Sequence, residues 1–281
     1  MRRSILFPIL IILIIVGLGV LFYPDISNWY NDRVHAEIVF THREGMAQLN
    51  DDYLQQHWQR AREFNKALTD ITVRDPFDGR GAIIARDEYL SILNFQGVMA
   101  LVEIPAINVM LPVRHTTSTE VLLRSVGHLE ESSLPVGGES THSVLTAHSA
   151  LASHRLFTDL EELVIGDLFF IRVLGETLAY KVDQLRVVWP HEIDDIRIIQ
   201  GADHVTLITC TPYRINSHRL LVRGVRVPYV PGMVEEIESV IPEETIVTDF
   251  RVKIIAAILG LFMFAIIIRL IVGSLRKKGN D

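Results

Sequence analysis

Two apolar runs stand near the ends of the chain, with a mixed pattern between them. Residues 5–23 form the first run, broken only by Pro8 and two glycines. At 1.5 Å per residue it extends roughly 28 Å as a helix, about one hydrocarbon core. Residues 254–272 form the second run and hold one charge, Arg269, near the end where a long side chain reaches water. In between, Leu54, Trp58, Ala61, Phe64 and Leu68 recur at steps of 4, 3, 3 and 4, one apolar stripe of a helix. Gly45 is expected to separate this helix from an earlier one over residues 27–41. Residues 71–96 lack periodicity and carry turn residues, reading as a long connection.

From Gly97 the pattern shifts to short β runs: 97–104, 109–113, 143–147, 168–173, 178–188, 204–210 and 219–227. Pro, Gly and Asp punctuate them, and residues 117–124 and 156–163 fit short helices. Many short strands with little helix between them predict a mainly β fold, a sandwich or a closed barrel.

The flanking charges orient the runs. Arg2 and Arg3 precede the first, and Arg276, Lys277 and Lys278 follow the second. Positive flanks stay inside, so both termini are expected to be cytoplasmic, with residues 25–252 outside. The first run exceeds the length of a signal-peptide core and lacks a small-x-small cleavage site, which favours an anchor over a removed leader. Net charge is −7, with no basic tract beyond the membrane flanks, so nucleic acid is not an expected partner.

Candidate chemistry gathers around Cys210, the only cysteine in 281 residues. It ends the run Thr206-Leu207-Ile208-Thr209-Cys210, and Arg219 opens the next run nine positions on. His148 ends Ser143-Val144-Leu145-Thr146-Ala147-His148. A thiol, an imidazole and a guanidinium are a nucleophile, a proton carrier and an anion stabiliser for acyl transfer through a thioester. A lone cysteine is more often a small buried hydrophobe, so the surrounding pattern carries the weight. Upstream, Asp75-Pro76-Phe77 reads by itself as a turn.

Thr-Leu-x-Thr-Cys, an Arg nine residues later and Thr-x-His upstream resemble the sortase signature, over residues 97–228 most closely. Leu134-Pro135-Val136-Gly137-Gly138 and Ser217-His218-Arg219-Leu220-Leu221-Val222-Arg223-Gly224 are also similar. Within that family of Gram-positive cysteine transpeptidases, the chain looks most like class C, the pilus-polymerising enzymes. The resemblance implies a closed eight-stranded β-barrel with N-terminal helices, here between two terminal transmembrane helices. Its segments would be an anchor (1–24), N-terminal helices (25–70), a lid-bearing connection (71–96), the barrel (97–230), a linker (231–252), the second span (253–273) and a cytoplasmic tail (274–281).

The resemblance also implies roles. Cys210 would attack a Leu-Pro-x-Thr-Gly-like sorting signal between Thr and Gly, and His148 would move protons as general acid and base. Arg219 would hold the substrate and its oxyanion, and the acyl group would pass to a lysine amine of another pilin. Asp75 would pair with Arg219 and Phe77 would lie against Cys210, so that Asp75, Pro76 and Phe77 close the groove as a lid. Expected partners are pilin subunits and the membrane, with no cofactor and no metal. A housekeeping sortase acting on a cell-wall precursor, or a non-catalytic scaffold that binds sorting signals, are the alternatives. Two positions depart from the family pattern: Arg214 and Ala147 each stand where Gly is usual. His128 and His142 read as structural.

Overall fold

The computed structural model describes residues 2–68, 75–77, 87–151, 153–192 and 194–233, with side chains from residue 12 onward. The chain divides into two compact units, Met1–Ile237 and Glu238–Asp281. All described residues belong to the first. The expected second span and tail lie outside the described residues.

The chain opens with α1 (Arg2–Ala47), one unbroken helix of 46 residues and roughly 70 Å. Its first part exposes Ile12, Val20 and Leu21. Among the described residues it is the one helix long and apolar enough to cross a membrane. No break separates the apolar run from the helix that follows, which corrects the expected break at Gly45. The helix runs through Gly45 and ends two residues later. There is no room for a side chain at that turn, because a Cβ on Gly45 would stand 2.6 Å from the Phe95 ring.

The next helix, α2 (Asp51–Ala67), starts where Asn50 accepts a hydrogen bond from the Tyr53 amide. Asp51 and Asp52 in the first turn complement the helix dipole. Its stripe buries Trp58, Ala61 and Phe64, as the spacing predicts. Asn65 on the same face acts as a backbone mimic: its amide donates to the Leu134 carbonyl at 3.1 Å and accepts from the Leu134 N–H at 2.7 Å. A short helix, α3 (Asp87–Ser91), then leads into the sheet.

Eight strands follow: β1 (Ala100–Ile104), β2 (Val109–His115), β3 (Val126–His128), β4 (Thr141–Thr146), β5 (Leu168–Val173), β6 (Glu176–Val188), β7 (Asp203–Thr211) and β8 (His218–Val227). They close into a barrel in the order β1-β2-β3-β4-β7-β8-β6-β5. The pairs β2–β3 and β4–β7 are parallel and the remainder antiparallel. Seven strands sit where the alternation placed them. The eighth, β3, escaped because three residues are too few to show a period. The expected helices over 117–124 and 156–163 contract to α4 (Thr119–Leu122) and a 3-10 turn at Thr158–Glu162.

Alternate side chains fill the barrel, including Val102, Leu145, Ile171, Tyr180, Leu207 and Val222. A second cluster joins the opposite face of the strands, Val144, Ile208, Leu221 and Val188, to Leu129 after β3 and Ile196 of a 3-10 turn. That outer cluster is the floor on which the candidate site rests.

Replacing Asn65 with Ala leaves the buried Leu134 N–H and C=O without partners. The expected cost is roughly 2–4 kcal/mol, a thermal midpoint lower by about 5–15 °C. Gln56→Ala on the exposed face of α2 should change stability by less than about 0.5 kcal/mol. Thermal denaturation of the two variants beside the native chain tests the docking role of Asn65; similar midpoints would remove it.

Candidate active site

Strand parity puts the three candidate reactive residues on one face. Leu145 and Ala147 of the β4 segment point into the core, so Thr146 and His148 point outward. On β7, Val205 and Leu207 point inward, while Ile208 and Cys210 point outward. On β8, Leu220 and Val222 are inside, and Arg219 and Leu221 outside.

Register then brings them level. Cys210 pairs directly with Arg219 across the β7–β8 ladder. The parallel β4–β7 register ends at Thr146 opposite Ile208, and two residues further along both chains stand His148 and Cys210. The Ala147 amide still donates to the Ile208 carbonyl at 3.2 Å, and Thr209 Oγ1 donates to the Ala147 carbonyl at 2.8 Å. Beyond the strand, Ser149 Oγ donates to the Cys210 carbonyl at 2.6 Å. This last contact, absent from the sequence reading, ties the residue after His148 to the residue that bears the thiol.

The Asp75-Pro76-Phe77 triplet lies over this row. Asp75 binds the Arg219 guanidinium with both oxygens, Nε to Oδ1 at 2.8 Å and Nη2 to Oδ2 at 2.6 Å. Such a two-pronged pair fixes orientation as well as charge. Asp75 Oδ1 also accepts from the Phe77 amide at 3.2 Å, the side-chain turn that Asp favours. Arg219 Nη1 donates to the Asn216 and His218 carbonyls. The Phe77 ring stands 5.2 Å from the His148 ring and 5.0 Å from the Arg219 guanidinium carbon, the two side chains that flank the thiol. It also packs on the outer apolar cluster, and Pro76 between them is buried.

Burial sets the protonation states. The Cys210 thiol is pushed up to about 11, first by burial; the Arg219 charge opposes this and the Asp75 charge adds to it. Burial, then the Arg219 charge, lowers the His148 imidazole. With the triplet in place, the pair is therefore a neutral thiol and a neutral imidazole at neutral pH.

The remaining candidates separate from the site. His128 is fully buried, its Nε2 at 2.9 Å from the Ser133 carbonyl, and burial pulls it down to about 3. His142 lies between the Arg197 carbonyl and Thr206 Oγ1 and falls to about 4, again first by burial. Arg223 pairs with Asp183. Arg214 has φ +65°, the left-handed conformation in which glycine carries no side-chain penalty. Ala147 is accommodated in the core. Trp58 is buried, Trp29 carries Arg33 over its ring, and Trp189 stacks 4.1 Å from His218.

Residues 102–227 match the Sortase domain model. Solved structures extend the likeness beyond that segment. Sortase C of Streptococcus pneumoniae is 42% identical, with a TM-score of 0.65 over 69% of this chain and 97% of that one. The chain belongs to the sortase family. Sortase C-1 of Actinomyces oris is 43% identical, with a TM-score of 0.61 over 63% of this sortase and 99% of that chain. Sortase C1 of Streptococcus agalactiae is 40% identical, with a TM-score of 0.64 over 69% and 100%. These structural relatives are class C sortases. Sortase A of Bacillus anthracis is 27% identical over 132 residues, which span 61% of that protein's length and 47% of this chain. Sortases are cysteine transpeptidases, and the row Cys210, Arg219 and His148 lies inside the matched domain.

Asp75→Ala removes one of the two influences that raise the thiol and frees the Arg219 charge to lower it. The thiolate should then form at lower pH, and each unit of that shift multiplies its neutral-pH fraction about tenfold. The pH dependence of Cys210 alkylation by a small neutral reagent measures this. A midpoint unmoved in Asp75→Ala would show that the carboxylate does not control the thiol.

Proposed function

We propose that this sortase is a membrane-anchored class C transpeptidase that joins pilin subunits. Cys210 attacks the carbonyl of a Leu-Pro-x-Thr-Gly-like sorting signal between Thr and Gly, and the Thr–Gly bond breaks as the thioester forms. His148 takes the thiol proton as Cys210 attacks and delivers it to the leaving glycine amine; it then takes a proton from an incoming lysine amine, whose attack forms the new amide, and returns it to the departing thiolate. Arg219 directs its donors at the substrate chain and the developing oxyanion. The observation that carries this reading is the single row of His148, Cys210 and Arg219 on adjacent strands. A binding scaffold would not need a nucleophile level with both a proton carrier and a guanidinium.

The pilin half of the proposal draws on the class C relatives. The structure of the Streptococcus pneumoniae enzyme is described in terms of pilin substrate specificity, and that of a related sortase C1 in terms of a pilus island. It also draws on the Asp75–Arg219 pair, which places a carboxylate on the guanidinium proposed to receive substrate. Asp75, Pro76 and Phe77 act as a lid in this reading. The Asp75 and Arg219 side chains are 15% and 8% exposed, so the cost of desolvating both charges offsets much of their attraction, and Phe77 contributes at most about 1.5–3 kcal/mol. A closed state favoured by so little opens to any ligand that binds the groove more tightly.

The native chain, incubated with a sorting-signal peptide, should gain the mass of an acyl fragment on Cys210. Cys210→Ala should gain none, and His148→Ala should acylate about 10²–10⁴-fold more slowly. Peptide cleavage at the native rate by Cys210→Ala would sink the mechanism.

For the location, we propose that α1 anchors the chain, that the barrel lies outside, and that a second span over 253–273 returns the C-terminus to the cytoplasm. Protease added to intact protoplasts should digest the barrel and spare tags at both ends. Loss of the C-terminal tag under those conditions would contradict the second span.

A further inference from the structure

The face that α1 turns to the barrel is a stripe at steps of four: Ser27, Asn31, His35 and Val39. Val39 packs on apolar Val98 and Leu101. The three polar positions before it meet something else. Asn31 Nδ2 donates to the Ser153 carbonyl at 2.7 Å, and Ser27 Oγ donates more weakly to the same oxygen at 3.4 Å. His35 Nε2 stands 2.8 Å from the Arg124 carbonyl, and its ring is 6.0 Å from that of His154.

Ser153 belongs to the loop that leaves β4 immediately after His148. That loop has no ladder of its own and is held by separate contacts. Ser149 holds it to Cys210 at one end. The Ala150 amide donates to Thr158 Oγ1, and the Phe157 amide to the His148 carbonyl. Ala150 at φ +60° and Leu156 at φ +43° take a conformation disfavoured for residues with side chains. Such residues persist where surrounding contacts hold them. On the side of α1, the bond from Asn31 is the shortest of those contacts.

We propose that Asn31, on the anchor helix, is a positioning residue for His148. It pins the Ser153 carbonyl and so holds the His148 loop against the Cys210 strand. Proton transfer requires the imidazole within hydrogen-bond reach of the leaving amine, and small displacements of a positioned group cost rate steeply. The helix that anchors the chain thereby also sets the geometry of the proton carrier, and a fragment beginning beyond residue 31 lacks the brace. The inference rests on the role of His148 proposed above.

The test uses the full chain in lipid nanodiscs. Asn31→Asp is isosteric but cannot donate to the Ser153 carbonyl, and Asn31→Ala removes the group. Two readouts are followed: acylation of Cys210 by a sorting-signal peptide, and titration of the His148 ring by NMR. Both variants should lower kcat for acylation about three- to tenfold, the worth of one hydrogen bond, with KM within about twofold. The His148 titration should move up towards the free-histidine value as the loop admits water. Ser27→Ala should do less, in keeping with its longer bond. Native kcat together with an unmoved His148 titration in both Asn31 variants would overturn the proposal. A lower thermal midpoint with His148 unmoved would overturn it equally, by reducing Asn31 to a stability contact. If the native chain itself forms no acyl adduct, the transpeptidase reading fails, and the His148 titration still decides whether Asn31 positions the ring.

Discussion

The pairing of β7 with β4 on one side and β8 on the other is the constraint from which the site follows. β7 is bonded along both edges, so it cannot slide without breaking two ladders. A slip of one residue would turn Cys210 into the barrel core and bring Ile208 and Thr206 with it. The apolar fillings on both faces oppose that slip, because Leu207 would leave the core as Ile208 entered it. The same alternation that stabilises the barrel therefore aims the thiol. Closure of the barrel does the remainder, since β4 and β7 are neighbours in space although residues 147–202 separate them in the chain.

On that frame the electrostatics have two opposed tendencies. Burial keeps the thiol and the imidazole neutral, while Arg219 brings a positive charge that favours thiolate. Asp75 cancels much of that charge, and Phe77 covers the imidazole and the guanidinium with an apolar ring. The arrangement buries the thiol beneath the ion pair and the ring.

The N-terminal helix adds a mechanical element. Because α1 is continuous from Arg2 to Ala47, the segment long and apolar enough for a membrane and the segment packed on the barrel belong to one helical rod. The loop after His148 is one of the places where that rod touches the barrel.

Much of this was legible along the chain. Cys210 and Arg219 flank a turn between two β runs, so antiparallel neighbours would bring both to one rim, and the structure pairs them directly. The stripe of α2 announces itself by period, and seven of the eight strands as apolar β runs between turn residues, several of them buried on both faces. Sequence likewise exposed the sortase pattern around Cys210. Other features had no local signature. β3 is too short for a period, and its parallel partner β2 is chosen by barrel closure. The continuity of α1 through Gly45 was hidden, since glycine argues locally for a break while the Phe95 ring packs against the helix at that turn. Asn31 to Ser153 and Ser149 to Cys210 are contacts across 122 and 61 residues, whereas the Asp75–Arg219 pair, across 144, was implied by the family resemblance. Propensity and period act over a few neighbours, so they set which face of each element is apolar. Which carbonyl a polar residue on that face will meet depends on how the barrel closes, and only the tertiary structure decides it.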